Sequence, residues 1–349
     1  MTRKISLLWI FLFLLAGAGR CLAQDAPGWE DYKARFVSED GRVIDYYQNE
    51  TSHSEGQGYG LLLAFLHDDP AAFDKIWTWT RNNLQVREND RLLAWSWGKR
   101  HNGEWRVVDY NNATDGDLLV ALALLKASRS WGSDEYAEEA LAIVRDVRRH
   151  LAVEAAGRVF LLPGYYGFLK DGGVVLNPAY MVFPAYESFA RVDDREFWEH
   201  AYADGLEILP HLLFTRLRLP ADWVFWNASG PSVYRERSAF SGYEAIRVYL
   251  YLSWAGKTSL IPSPRSLLDF FGAKEYLPDR FHLDNDTASL NEASGGFHAV
   301  LSRVARDLGE ASLADVLAEK ARFKVESEEE EKDYYSMTLY LLAREEVRP

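Results

Sequence analysis

Residues 113–131, ATDGDLLVALALLKASRSW, decide how this 349-residue chain is read. From Leu118 to Leu125 every residue is apolar, so a helix through them has no polar face at any angle. Such a helix is buried on all sides. The run 137–151 is different. There Glu, Arg and Asp alternate with Ala, Leu, Ile and Val at helical spacing, the pattern of a helix with one wet face. Helices buried all round and ringed by amphipathic ones describe a two-layer, all-α barrel better than a simple bundle.

The same helical spacing extends over 58–67, 70–83, 115–131, 134–151, 178–189, 195–212, 242–253, 264–271, 288–308, 312–323 and 333–344. Pro70, Pro178 and Pro264 stand at the starts of these runs, where a missing amide costs nothing. Ser263 is placed to be an N-cap. Strand-like pieces are short, 158–162 and 174–176. No Pro/Gly-rich hinge divides the chain, so residues 24–349 are expected to form one domain. The acidic run 326–333, ESEEEEKD, reads as a solvated loop or helix end.

The chain is 48% hydrophobic, enough for one large core or at most two modest ones. Its formal charge of −13 comes with no Lys/Arg cluster, which argues against nucleic acid. Of twelve Trp, 19 Tyr and 18 Phe some must fill the core, and so many Trp also suit a cleft that stacks sugar rings, two uses that composition alone does not separate. At the start, Arg3 and Lys4 precede an apolar run, 5–18, too short to span a membrane comfortably, and Cys21-Leu22-Ala23 follows. This is the layout of a signal peptide, residues 1–23, cleaved after Ala23. The expected location is periplasmic or secreted, with no stable membrane insertion after cleavage. Cys21 is the one cysteine and leaves with the signal, so disulfides, a Cys nucleophile and thiolate ligands are all excluded from the mature protein. The eight His show no ligand spacing, and neither metal nor other cofactor is expected.

Three places join carboxylates to glycines at helix starts. SEGQGYG at 54–60 carries Glu55; its ordinary alternative is a capping box of Ser54 and Gln57. ATDGD at 113–117 opens the buried helix with Asp115 and Asp117. A cap needs one carboxylate, and a second buried acid is costly unless it is used. SGYEAIR at 241–247 places Glu244 and Arg247 three apart, where a local ion pair is the ordinary reading.

Taken together, these motifs resemble glycoside hydrolase family 8, and within it the periplasmic endoglucanases of bacterial cellulose-synthesis operons. The stretch 113–131 fits the family signature except that Val120 replaces isoleucine or methionine. The likeness continues through GRVID (41–45), AWSWGKR (94–100), NPAY (177–180), DWV (222–224) and EAIRVYLYL (244–252), covering almost the whole mature chain. It implies an (α/α)6 barrel that hydrolyses β-1,4-glucan in the interior of the chain with inversion. It also implies a role beside cellulose synthesis, in reach of a synthase or export complex. By position, Glu55 would be the proton donor, Asp115 would hold the distorted sugar, and Asp117 would support it. Tyr59, Trp95, Trp97, Trp105, Tyr180, Trp223, Tyr243 and Arg247 are candidates for binding along the cleft.

One departure stands out. Relatives of this kind carry aspartate where this chain has Glu244, as the base that activates water. The carboxylate is kept on one extra methylene, and inverting enzymes need a separation of about 6.5–9.5 Å between acid and base. Either the backbone is set back for Glu244 or another acid is the base. Glu55 must also be protonated at working pH, although a helix N-terminus favours its ionised form. A nearby anionic Asp115 and aromatic walls are expected to raise its pKa, so that Asp115→Asn would lower the basic limb of the pH–rate profile. Chitosan or xylan as substrate, and a glucan-binding export factor of little activity, are the alternative readings.

Overall fold

The structure, a computed structural model, describes residues 26–155 and 157–348. The expected signal peptide, its cleavage point and Cys21 lie outside the described residues. Twelve α-helices follow one another among those described: α1 Trp29–Phe36, α2 Ser54–Leu66, α3 Pro70–Asn83, α4 Thr114–Trp131, α5 Asp134–Leu151 and α6 Phe183–Phe189, then α7 Arg195–Ile208, α8 Ile246–Trp254, α9 Ser263–Lys274, α10 Gly295–Asp307, α11 Ala311–Val325 and α12 Tyr334–Leu342.

Burial alternates along this series. Helix α4 is buried at every position from Thr114 to Leu125, and α8 at every position it has. By contrast α5 buries only Ala140, Ile143, Val144, Val147 and Leu151, one stripe at a spacing of three and four. The even-numbered helices are the enclosed ones, and they touch in a closed circle, α2–α4–α6–α8–α10–α12 and back to α2. Outside them pack α3 on α2, α5 on α4, α7 on α6, α9 and α11 on α10, and α1 on α12. The two layers are those expected from the buried helix, and their number makes the (α/α)6 barrel that the family resemblance implied. Fully buried Trp77 and Trp198 on α3 and α7 fill the seam between the rings, and each such side chain contributes about 1.5–3 kcal/mol by its burial.

Several boundaries differ from the sequence reading, for local reasons. The run 178–189 is broken into a 3-10 turn, Pro178–Tyr180, and then α6. Helix α7 stops at Ile208 because Pro210 lacks the amide needed to continue it. Helix α10 begins at Gly295, not 288, since Thr287–Ala288 is drawn into a small sheet with Phe281–His282 and Phe240–Ser241. Ser263 is the first residue of α9, and Pro262 occupies the cap. The acidic run 326–333 is not wholly solvated: Glu330 accepts from the Gly295 amide at 3.0 Å and from the Ser336 hydroxyl at 2.5 Å.

Short strands dress one end of the barrel. Ser52–His53 runs directly into α2 and pairs with Ser96–Lys99, which forms a hairpin with Trp105–Asp109. Gly173–Leu176 leads into Asn177 and pairs with Val224–Asn227. No helix among the described residues is long and apolar enough to cross a membrane.

Candidate active site

The site grows from a close approach of α2 and α4. A side chain at Gly58 would meet Leu119 Cβ at 2.7 Å, and one at Gly116 would meet Ser54 Oγ at 2.2 Å. The glycines of both motifs are therefore what lets the two helix starts touch. Ser54 is not the expected cap of α2. His53 holds that position, the Ser54 amide donates to the Trp95 carbonyl at 3.0 Å, and the Ser54 hydroxyl is buried without a partner among the described residues. Gln57 likewise closes no capping box; it accepts from the Val43 amide at 2.6 Å and donates to Thr80 Oγ1 at 2.8 Å. Asp115 is not a cap either, because Ala113 precedes α4 in that role.

Freed from capping, Glu55 and Asp115 turn to a common partner. Arg247, on the first turn of α8 and only 2% exposed, donates from Nη1 to Glu55 Oε2 at 2.6 Å and to Asp115 Oδ2 at 2.7 Å. Its Nη2 donates to Glu244 Oε2. The local Glu244–Arg247 pair thus exists, but it is one arm of a cluster that ties α2, α4 and the start of α8 to one guanidinium. The three carboxyls differ in access. Asp115 is fully enclosed, whereas the Glu55 and Glu244 side chains are 18% and 30% exposed.

One cation cannot balance three anions in so dry a place. Burial pushes the Glu55 carboxyl up, with Arg247 opposing and Glu244 adding to the rise. Asp115 is pushed well up, by burial and then by Glu55. Both shifts favour the protonated form of these two acids. Glu244 is a like charge that adds to the rise of Glu55, and Glu55 in turn adds to the rise of Asp115.

Glu244 itself sits ahead of α8, which begins at Ile246 rather than 242. Buried Asp222 shapes that turn, accepting from the Gly242 amide at 2.8 Å, the Ala245 amide at 3.1 Å and Ser238 Oγ at 3.0 Å. Burial pushes its carboxyl up to about 6. Asn177 donates to Glu244 Oε2 at 2.8 Å.

The pocket over the cluster measures about 380 Å³ and is walled by His53, Glu55, Tyr243, Glu244, Tyr334 and Tyr335, among others. A larger groove of about 750 Å³, beside Tyr186 and Trp198, lies between α6 and α7 and includes none of these groups. Of the expected binding residues, Tyr180 belongs to the cluster, its ring 5.7 Å from the Arg247 guanidinium, and half-exposed Tyr243 lines the pocket. Trp95 meets the start of α2, its carbonyl accepting from the Ser54 amide, and is not among the residues lining the pocket. Trp97 is crowded by Trp79, Trp105 and Arg42, while Trp105 is 41% exposed on its strand.

Three expectations do not fit. Tyr59 is fully buried, its hydroxyl 2.9 Å from that of Tyr251, so it supports the site from beneath. Trp223, 8% exposed, is packed by Phe168, Tyr180 and Arg237. Asp117 faces away from the pocket, accepting from the Leu93 amide at 2.8 Å and Asn112 Nδ2 at 2.7 Å, and burial pushes it up to about 8. Tyr334 and Tyr335 were unread in the sequence, because aromatics at the start of an apolar helix look like core. Asn177 carried a signal in NPAY but no role.

A double ring of helices that opens on three carboxyls gathered at one guanidinium, one enclosed and two wetted, defines a hydrolase of the kind that cleaves sugar chains. The chain belongs to the glycosyl hydrolases family 8, whose profile matches residues 6–346. It is 39% identical to an endoglucanase of Cellulomonas uda over 70% of this chain and 67% of that one. Among solved structures it resembles the Klebsiella pneumoniae endoglucanase, a family 8 glycosyl hydrolase, at 32% identity with a TM-score of 0.79 over 90% of this chain and 97% of that one. An endo-β-1,4-glucanase of Acetobacter xylinum gives 33% identity and a TM-score of 0.77 over 91% and 97%.

Proposed function

We infer that this protein is an endo-β-1,4-glucanase that cleaves with inversion, Glu55 serving as acid and Glu244 as base. The observation that carries the reading is the sharing of Arg247 by Glu55, Asp115 and Glu244 at the floor of an aromatic pocket. Burial keeps Glu55 able to hold a proton, which it passes to the glycosidic oxygen as the bond from the anomeric carbon breaks. Water attacks that carbon from the opposite face and gives its proton to Glu244. Asp115, enclosed beneath the pocket, braces the Arg247 guanidinium between the acid and the base. Tyr180, Tyr243 and Tyr335 offer rings beside the sugar.

The broader setting follows from the sequence. Residues 1–23 act as a signal peptide and 24–349 as one exported catalytic domain, periplasmic or secreted, working on glucan made by a cellulose synthase complex. The test is an assay of residues 24–349 for reducing ends and viscosity on carboxymethyl-cellulose, xylan and chitosan. Rapid viscosity loss on carboxymethyl-cellulose alone, cut by about 10²–10⁴-fold in Glu55→Gln and Glu244→Gln, is the expected result. Binding without cleavage would make the protein a glucan-binding factor, and activity centred on xylan or chitosan would replace the substrate.

A further inference from the structure

We propose that Asn177 is the positioning residue of the base: it fixes which oxygen of Glu244 meets the attacking water. The inference rests on Glu244 being the base. Asn177 lies where the strand Gly173–Leu176 gives way to the Pro178–Tyr180 turn, and it is 3% exposed. Its amide cannot turn over. Oδ1 accepts from the Ala179 backbone at 2.9 Å, so Nδ2 is committed to donating, and it donates to Glu244 Oε2 at 2.8 Å. Arg247 Nη2 donates to the same oxygen. Two donors on Oε2 leave Oε1, which takes no hydrogen bond from the described residues, turned to the pocket that Glu244 lines.

This matters because a glutamate has one more rotatable bond than an aspartate. Held by Arg247 alone, its carboxylate could pivot about that contact and sweep Oε1 across the pocket. A second donor, on a backbone element independent of α8, removes the pivot. The charged and titratable groups facing Glu244 are Arg247 from the first turn of α8, Glu55 from α2, Asp115 from α4, Asp222, Tyr180 and Tyr335. Asn177 is neutral and hydrogen-bonded to Glu244, so Asn177→Asp adds a charge at that contact without removing one already present.

The experiment compares wild type with Asn177→Ala, Asn177→Asp and Glu244→Gln, recording kcat and KM on cello-oligosaccharide from pH 4 to 9 and melting temperature alongside. Asn177→Ala should lose about tenfold or more in kcat with KM within about twofold, the mark of an interaction made in the transition state. Asn177→Asp keeps the acceptor for Ala179 and the side-chain size, so it carries the test if the alanine variant does not fold. It sets a second carboxyl against Oε2, and the acidic limb should move up by about one pH unit or more. An unmoved acidic limb and unchanged kcat in Asn177→Asp, with Glu244→Gln inactive, would overturn the role of Asn177 and leave the base in place. Wild-type rates in Glu244→Gln would instead remove the base, and this inference with it.

Discussion

Gly116 lies directly against Ser54: the Cβ that Gly116 lacks would fall 2.2 Å from the serine Oγ and 2.8 Å from the Glu55 backbone nitrogen. The contact sets the distance between the acid and Asp115. Gly116→Ala should part α2 from α4 at that level, with an overpacking cost of about 1–3 kcal/mol. The rate should fall further than stability does, since about 1 Å of misplacement can cost a hundredfold. Adding Ser54→Ala should not restore it, because the Glu55 nitrogen remains in the way. Melting and kcat of the single and double variants check this, and a wild-type kcat in the single variant would refute it.

Glu244→Asp tests whether the extra methylene is built in. The shorter side chain withdraws from Asn177 and Arg247, both now bonded to Oε2. We expect an intact fold with kcat reduced about ten- to hundredfold. A variant as fast as wild type would show that the turn at 242–245 adjusts to either length.

Arg247→Met leaves three carboxyls around an apolar side chain. Breaking a buried ionic cluster from one side costs about 3–5 kcal/mol. The loss should depend on pH. Glu55 and Asp115 already have raised pKa values, and without the cation both rise further. A group raised on folding contributes stability below its unfolded pKa and loses it as pH climbs through the folded one. The variant should therefore approach wild-type melting near pH 4 and fall away by pH 8. A pH-independent deficit would argue that the carboxyls are not held together by this charge.

Asp117 makes a cleaner case, away from the chemistry. Its carboxyl is raised to about 8, chiefly by burial. By the same sign its stabilising contribution is complete below the unfolded value of about 3.9 and is lost as pH rises through about 8. Asp117→Asn has no charge to bury, although its amide opposes the Asn112 donor. Thermal melts should show the variant less stable than wild type at pH 5, with the gap narrowing or reversing by pH 9. A gap that stays constant across that range would count against the shift.

The barrel was legible because α4 and α5 write their burial into their composition, one apolar all round and one striped. The three carboxylates were legible because glycines and acids at helix starts are an expensive combination. What the sequence hid was partnership over distance. Arg247 looked like a local partner of Glu244, and nothing in the chain between 55 and 247 announces that it also serves Glu55 and Asp115. The capping readings of Ser54 and Asp115 failed for the same reason, since each residue answers to a neighbouring helix instead of its own. Tyr59 and Trp223 were misplaced because an aromatic beside a motif can point inward as easily as outward. Strands such as Ser96–Lys99 are too short to carry a period.

The inner ring closes between its first member and its last, α2 against α12. The acid is carried by one and the pocket wall of Tyr334 and Tyr335 by the other, 279 and 280 residues further along the chain. A nascent or partly threaded chain holds Glu55 early, yet the pocket stays unwalled until the final helix is delivered. A stop just before residue 334 would therefore leave most of the mass of the protein, with all three carboxyls present and one wall of their pocket missing.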